Sequence, residues 1–165
     1  MPDHNLPASD FIVRSARADD LTALCIVELK AIKDEKRLHP FTMSLSELNN
    51  IWNMRFKSGQ FDILVAVDAT NQERIIGFIA LQAKHYNEAF IQAIYVDPLY
   101  YRKGVGTLLM QSGERICHIR KCPKLRLHVE PLNENGLSFY KKLGFSVTNY
   151  KFHHLNILVK EYSSC

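Results

Sequence analysis

One segment constrains the fold of this chain more than any other, because an extended run turns there into a helix through two glycines. Residues 89–96 alternate apolar side chains as a strand does. Beyond the glycines, Val105, Leu109, Ile116 and Ile119 recur at the spacing of one helical face. This pattern predicts a strand that passes through a short loop straight into a long helix, and therefore a fold in which helices cover a sheet.

The loop itself has the composition of an anion-binding turn. Its glycines let the backbone approach a ligand closely, and the first amide groups of the following helix lack internal partners and carry about half a positive charge. A pyrophosphate fits such a site, although a tight structural turn with a solvated basic helix end would give the same letters. The turn consists of Gly104, Val105, Gly106 and Thr107, and the basic residues Arg102 and Lys103 lie just before it.

Two nucleotide-binding classes are excluded by the same letters. No Gly-Lys-Ser/Thr follows the turn, as a Walker loop requires. The third glycine and the downstream acidic residue of a dinucleotide fingerprint are also missing. Nucleotide hydrolysis and hydride transfer are therefore not expected.

Periodicity along the rest of the chain predicts an α+β order. Ser44 and Glu47 have the spacing of a capping box that opens a helix. Helices are predicted from residue 19, over 44–59, over 105–119 and over 133–143, and strands over 11–16, 61–67, 75–83, 89–96, 125–130, 145–150 and 155–162. The strands from 61 to 96 form an antiparallel meander in this prediction, with a polar turn at 68–73.

Composition narrows the class of protein. A chain of 165 residues with 47% apolar residues predicts one domain over 1–165, with residues 1–10 as a flexible tail. A net charge of +4 without a basic stripe argues against nucleic acid, and no signal peptide or long apolar run suggests a membrane, so we expect a cytoplasmic protein. The cysteines lack zinc spacing, and adjacent His153 and His154 would point to opposite faces of a strand, so no metal is expected.

Two motifs carry a resemblance to a known family. Residues 94–109 resemble motif A of the GNAT acetyltransferases, in which Val and often Asp-Pro end a strand and a basic Gly-x-Gly turn opens the next helix. Tyr101 departs from the family's usual Gln or Arg, a change that main-chain phosphate contacts should tolerate. Motif B is resembled by Asn133, Gly136, Phe139, Tyr140, Gly144 and Phe145.

The resemblance implies a fold and a reaction. The fold is a mixed, mostly antiparallel sheet of about seven strands with helices on both faces. The reaction moves the acetyl group of acetyl-CoA to a primary amine by direct attack in a ternary complex, with a small amine or a peptide N terminus as the acceptor. A protein lysine is a further possibility, and a homodimer is compatible with the sequence.

The resemblance also assigns roles to residues. Ile94, Tyr95 and Val96 would pair through their main chain with the pantetheine arm, and the Val96 amide would polarise the thioester carbonyl. Asn133 would hydrogen-bond the cofactor, and Tyr140 would protonate the departing thiolate. The alternatives are an N-cap asparagine and a core tyrosine.

The sequence offers several candidates for the general base. Several relatives have Glu four residues before the motif A valine, but Gln92 stands there and cannot accept a proton at neutral pH. His128 occupies the position, five residues before the motif B asparagine, where other relatives place a base, and an imidazole suits that role. Water-relayed deprotonation is the main rival, and Glu88 and His85 are weaker candidates. An acyl-CoA-binding or regulatory module with weak or no catalysis is the alternative function.

Overall fold

The computed structural model describes residues 10–85 and 87–163, without the side chains of residues 84 and 85. Its sheet has seven strands in the order β1-β2-β3-β4-β5-β7-β6, which confirms the expected mixed, mostly antiparallel sheet. The elements are β1 (Phe11–Ser15), α1 (Leu21–Asp34), α2 (Leu45–Ser58), β2 (Asp62–Asp68), β3 (Asn71–His85), β4 (Glu88–Val96), α3 (Val105–Ile119), β5 (Lys124–Val129), α4 (Glu134–Lys142), β6 (Ser146–Phe152) and β7 (Leu155–Glu161).

The sheet joins two antiparallel blocks through one parallel pair. Strands β1 to β4 pair antiparallel with their sequence neighbours, so the predicted meander is confirmed. Strands β5, β7 and β6 form the second antiparallel block. Between the blocks, β4 and β5 run parallel, and α3 supplies the long crossover that a parallel pair needs.

Alternation along β3 divides the core into two layers. Ile79 and Leu81 pack toward α3 on one face of the sheet, whereas Phe78 and Ala80 pack toward α1 and α2 on the other. Trp52 of α2 is fully buried there, with its ring edge-on to Phe78 at a centroid distance of 5.3 Å. Helices therefore cover both faces, as expected.

The signals that begin and end helices and strands mostly act as the sequence predicts. The Ser44 side chain accepts a hydrogen bond from the Glu47 amide and the Glu47 side chain accepts one from the Ser44 amide, which is the predicted capping box. Two details differ. Strand β3 already begins at Asn71, inside the predicted polar turn, and Ile119 of α3 is 73% exposed rather than part of the apolar face. His153 and His154 form the turn between β6 and β7, outside both predicted strands.

The described residues contain neither a membrane-spanning helix nor a metal site. None of the described helices is long and apolar enough to cross a membrane. No group of three or more His, Cys, Asp or Glu in the described part could hold a metal ion. Cys25, Cys117 and Cys122 are free and buried, and the predicted tail lies almost wholly outside the described residues.

A bidentate ion pair ties β1 to the start of α1. The Arg14 guanidinium donates to both carboxylate oxygens of Asp20, at 2.7 and 3.0 Å, and the Arg17 amide donates to the same carboxylate at 2.7 Å. Asp20 is buried, and burial alone would raise its pKa. The hydrogen bonds and charges of Arg14 and Arg17 outweigh burial and hold the pKa of Asp20 below its ordinary value.

We expect Asp20→Asn to destabilise the fold by about 3 kcal/mol, because it leaves the guanidinium of Arg14 without its charge partner. In the wild type, the carboxylate stabilises the fold above the ordinary pKa of 3.8 and loses this effect as the pH falls through the lower folded-state pKa. Urea unfolding at pH 7 and pH 3 measures both effects. An equal loss of stability at the two pH values would contradict the ionic role, and Asp19→Asn is the exposed control.

Candidate functional site

A cleft opens where β4 and β5 separate. The two strands pair only at Ala89 with Leu125, Phe90 with Arg126 and Ile91 with Leu127. The next residue of β4, Gln92, is an extra residue relative to β3, because Ala93 pairs with Ala80 and Ile91 with Leu81. A bulge of this kind bends a strand. Beyond it lies a cleft of about 420 Å³.

Main-chain groups of β4 line one wall of this cleft. The Asp97 amide donates to the Ile76 carbonyl on the β3 side at 2.7 Å. Because successive residues of a strand direct their main-chain groups to opposite edges, the amides of Ile94 and Val96 face the cleft and that of Tyr95 faces β3. No described strand pairs with Ile94 or Val96 on the cleft side. This edge can accept an extended, amide-containing ligand.

The turn before α3 ends in unpaired amide groups. The first main-chain bond of the helix runs from the Leu108 amide to the Gly104 carbonyl, and no side chain caps Gly104. The amides of Val105, Gly106 and Thr107 therefore precede the helical ladder and are available to an anion. In the part of the chain that the structure describes, Arg102 forms no ion pair.

The two glycines of the turn are needed for different reasons. Gly104 has a φ of 81°, a left-handed conformation that disfavours other residues, and a Cβ there would meet nothing within 4 Å. Gly106 instead lies under α4, since a Cβ there would be 3.2 Å from Cζ of Phe139. Close packing at Gly106 thus brings α4, with Tyr140, against the turn before α3.

Helix α4 carries both motif B candidates. Asn133 is the N-cap, because its Oδ1 accepts from the Gly136 amide at 3.0 Å, and its Nδ2 donates to Glu35 at 3.2 Å. Tyr140 lines the cleft and its hydroxyl has no hydrogen-bond partner among the described residues. Burial, followed by the nearby Glu35 carboxylate, raises the pKa of Tyr140 well above its ordinary value. The phenol therefore stays protonated and can donate a proton.

His128 lies on the opposite wall, in β5. Its Nε2 is buried and has no hydrogen-bond partner among the described residues. Burial, followed by the positive charge of Arg126, lowers the pKa of His128, and Glu88 partly opposes this effect. The imidazole is therefore neutral at pH 7 and has a free lone pair, which a general base needs.

A network of charged residues in the cleft was not predicted from the sequence. Arg37 bridges two carboxylates, Glu35 at 2.8 Å and Glu130 at 3.3 Å, and Nε2 of His154 lies 3.2 Å from Glu130. Glu130 is buried, which a carboxylate tolerates only with such partners. Burial raises the pKa of Glu35. Alternation along the strand puts Glu130 on the same face as His128, but no local signal connects it with residues 35–37.

The weaker base candidates fare differently. Gln92 lines the cleft at the bulge, but its carboxamide cannot accept a proton at neutral pH. Glu88 is held by Arg126 at 2.5 Å, at the paired end of β4 and away from the opening. The side chain of His85 lies outside the described part of the chain.

The cleft thus brings residues from distant parts of the chain together. It is lined by Glu35, Arg37, Phe90, Ile91, Gln92, Ala93, Ile94, Tyr95, Arg126, Leu127, His128, Val129, Glu130, Asn133, Tyr140, Phe152 and Leu155. Val96 and residues 102–107 continue from the same wall toward the start of α3.

Comparison with known families agrees with this geometry. Residues 26–145 match the model of the acetyltransferase (GNAT) family. This chain belongs to the GNAT acetyltransferase family. The match includes both motifs and every residue of the cleft lining except Phe152 and Leu155.

Curated relatives match over shorter stretches. A peptidyl-lysine N-acetyltransferase, YjaB, of Salmonella typhimurium is 30% identical over 82 residues, which are 50% of this chain and 50% of the relative. A spermidine N(1)-acetyltransferase of Thermoplasma acidophilum is 37% identical over 73 residues, 44% of this chain and 45% of the relative. The aligned stretches thus span about half the length of these curated relatives.

Solved structures share the fold over nearly the whole chain. The PaiA N-acetyltransferase from Thermoplasma acidophilum, in complex with coenzyme A, has a TM-score of 0.77 at 24% identity and covers 92% of this chain and 99% of its own. Ard1 from Thermoplasma volcanium has a TM-score of 0.71 at 22% identity, covering 94% and 99%. At these identities the comparison establishes the GNAT fold.

If Arg102 contacts phosphate as the motif A resemblance implies, we expect Arg102→Gly to weaken binding of coenzyme A about tenfold, because a charge-assisted contact is lost. Arg102 has a φ of 62°, so glycine relieves left-handed strain in the folded chain. Glycine also raises the conformational entropy of the unfolded chain, and the two effects on stability nearly cancel. Lys121→Gly is the matched control, since Lys121 is exposed at a φ of 57° beyond the other end of α3. Calorimetric titration at two salt concentrations measures the affinities, and equal losses in both variants would contradict the assignment.

Proposed function

We propose that this GNAT protein transfers the acetyl group of acetyl-CoA to a primary amine by direct attack in a ternary complex. The observation that carries the proposal is the separation of β4 from β5, which leaves the β4 edge unpaired, with the turn before α3 following the same strand, beside a cleft that Tyr140 lines. A binding module would need the first two of these features. Catalysis needs, in addition, a proton donor for the departing sulfur, and a protonated tyrosine without a hydrogen-bond partner among the described residues suits that role.

The residues present fit acetyl-CoA. The amides of residues 105–107, with Arg102 and Lys103, would hold the pyrophosphate. The main chain of Ile94 and Val96 would pair with the amides of the pantetheine arm, and Tyr95 would contribute its side chain to the cleft wall. The Asn133 side chain already hydrogen-bonds the Gly136 amide and Glu35. In this proposal it would contact the cofactor while keeping these two bonds.

The chemistry then follows from the protonation states of the cleft. Acetyl-CoA supplies a thioester, whose carbonyl carbon forms a bond with the amine nitrogen while its bond to sulfur breaks. His128 takes the proton that the nitrogen loses, and Tyr140 gives its proton to the departing sulfur. The Val96 amide, which faces the cleft, stabilises the negative charge on the carbonyl oxygen. Exchange with solvent returns the proton from His128 and restores Tyr140.

The acceptor is a small amine or a peptide N terminus in this proposal. The β6–β7 connection is a two-residue turn, His153 and His154, so no insertion covers the cleft at this edge. An open cleft admits peptides as well as small amines. The names of the relatives include peptidyl-lysine and spermidine acetyltransferases, so both acceptors belong in a test. A cytoplasmic location and a homodimer remain predictions.

A binding or regulatory module is the second candidate, favoured by one observation. Gln92 stands at the bulge of β4, where it lines the cleft without offering a base. If His128 does not accept protons, the chain retains the features for holding acyl-CoA and loses efficient catalysis.

Release of the coenzyme A thiol from acetyl-CoA tests the proposed reaction. The acceptor panel contains spermidine, free amino acids, lysine-containing peptides and peptides that differ in their first residue. Thiol release with one acceptor class, accompanied by a mass gain of one acetyl group on that acceptor, is the expected result. Tight acetyl-CoA binding with no release across the panel would favour the binding module.

We expect Tyr140→Phe to lower kcat about a hundredfold, because the departing sulfur loses its proton donor, while acetyl-CoA affinity changes less than about twofold. Tyr150→Phe is the matched control, since Tyr150 is a 76% exposed tyrosine of β6. Stopped-flow thiol release and calorimetric titration separate the two effects. A parallel fall in affinity and kcat would show that Tyr140 holds the ligand rather than protonating sulfur.

We expect His128→Gln to remove the acid limb of the kcat/KM profile. In the wild type, kcat/KM should rise as His128 loses its proton, below the ordinary histidine pKa of 6.5, since burial and Arg126 favour the neutral form. Profiles from pH 5 to 9 are compared with those of His118→Gln, a histidine of α3 outside the cleft lining. An unchanged acid limb in His128→Gln would rule out His128 as the base.

A further inference from the structure

His128 is enclosed between two aromatic rings from different strands. The Phe90 ring of β4 lies 4.8 Å from the imidazole, at an interplanar angle of 58°. The Phe152 ring, at the end of β6, also lies 4.8 Å away but is nearly parallel, at 22°. Phe90 belongs to the paired end of β4, whereas Phe152 reaches over from the hairpin turn. Phe152 is therefore the flat cover of His128.

The position of Phe152 is not that of a core residue. It is 50% exposed, and it pairs with Leu155 to close the hairpin between β6 and β7. Most of β6 is exposed, so the strand contributes little to the apolar core. The ring of Phe152 lies on His128 instead and lines the cleft.

The buried Nε2 of His128 lowers the stability of the fold. Nε2 of His128 is buried without a hydrogen-bond partner among the described residues, and a buried polar atom without a partner destabilises the fold. An apolar residue between Phe90 and Phe152 would avoid this cost. A cost of this kind, in a cleft that also holds Tyr140, indicates that the free nitrogen serves function rather than stability.

We propose that Phe152 is a positioning residue for His128: its ring fixes the plane of the imidazole and shields the face of the ring from water, so that the imidazole remains neutral until an amine arrives. This inference rests on the proposed function, in which His128 accepts the proton of the amine. Phe152 does not itself touch the reacting atoms. A residue of the β6–β7 hairpin thereby affects the reaction, although His128 lies on β5 and Tyr140 on α4.

Charged and titratable groups around the stack come from each neighbouring element. Arg126 of β5 lies with its guanidinium carbon 5.2 Å from the centre of the Phe90 ring, and it pairs with Glu88 of β4. On the hairpin side, the His153 ring meets Phe152 at 4.5 Å, and His154 pairs with Glu130. The positive charge of Arg126 acts in the same direction as the aromatic cover, because both favour neutral His128.

The test measures the pKa of His128 and the rate separately, in the full chain. The pKa is read from the imidazole Cε1–H signal by NMR, assigned by its disappearance in His128→Gln. Phe152→Ala removes the cover, Phe152→Tyr keeps a flat ring, and Tyr150→Ala removes another exposed aromatic residue of the same strand. Circular dichroism confirms that each variant is folded.

In Phe152→Ala we expect the pKa of His128 to rise toward 6.5, because water reaches the charged form. The acid limb of kcat/KM should move to higher pH with it, so that the rate at pH 6 falls about three- to tenfold and the rate at pH 9 approaches that of the wild type. Phe152→Tyr and Tyr150→Ala should keep the wild-type pKa and profile.

An unchanged pKa of His128 in Phe152→Ala overturns the inference, whether or not the rate falls. A uniform loss of rate at every pH with an unchanged pKa would show that Phe152 only supports the hairpin. A raised pKa that the rate profile does not follow supports the positioning contact and refutes His128 as the base. Failure of the inference and failure of the proposed function thus give different results. If Phe152→Ala does not fold, Phe152→Leu, which keeps an apolar side chain without a flat ring, is measured in its place.

Discussion

The parallel ladder between β4 and β5 stops after three residue pairs, and the rest of the site depends on that interruption. Unpaired main-chain groups inside a sheet are unfavourable, so the two strands must be held apart. Their outer edges are occupied by β3 and β7, and the bulge at Gln92 bends β4 at the point of separation. The open edge at Ile94 and Val96 is the consequence. A continuous ladder would satisfy these groups internally and leave no cleft.

Two charged regions lie around the cleft. The turn before α3 presents free amides together with Arg102 and Lys103, a positive environment suited to phosphate. Among the residues that line the cleft, Glu35 and Glu130 are bridged by Arg37, and His154 lies against Glu130. This network connects the end of α1, the end of β5 and the β6–β7 turn.

Burial separates the roles of the two candidate catalytic groups. It raises the pKa of Tyr140 and lowers that of His128, so both side chains are uncharged at neutral pH. An uncharged tyrosine holds a proton that it can give, whereas an uncharged histidine can take one. One low-dielectric cleft thus prepares an acid and a base, because the charged form that burial disfavours is an anion in one case and a cation in the other.

The sequence by itself determined most elements, because their signals lie within a few residues of one another. The capping box of Ser44 and Glu47, the N-cap at Asn133 and the glycine turn at Gly104 each act locally. Motif spacing likewise placed Tyr140 and His128 among the site candidates. The start of β3 and the exposure of Ile119 were predicted wrongly, since pairing with β2 and packing against the sheet decide them.

Only the tertiary structure decided which side chains meet. Glu35 and Asn133 are 98 positions apart, and Leu38 and Glu130 are 92 positions apart, yet both pairs are in contact. The flat contact of Phe152 on His128 depends on a strand order in which β7 lies between β5 and β6. No periodicity encodes such contacts, because they arise when separate hydrophobic faces pack on one sheet. Local sequence therefore specified the anion-binding turn and the helices, and long-range packing specified the environment that sets the protonation of the cleft.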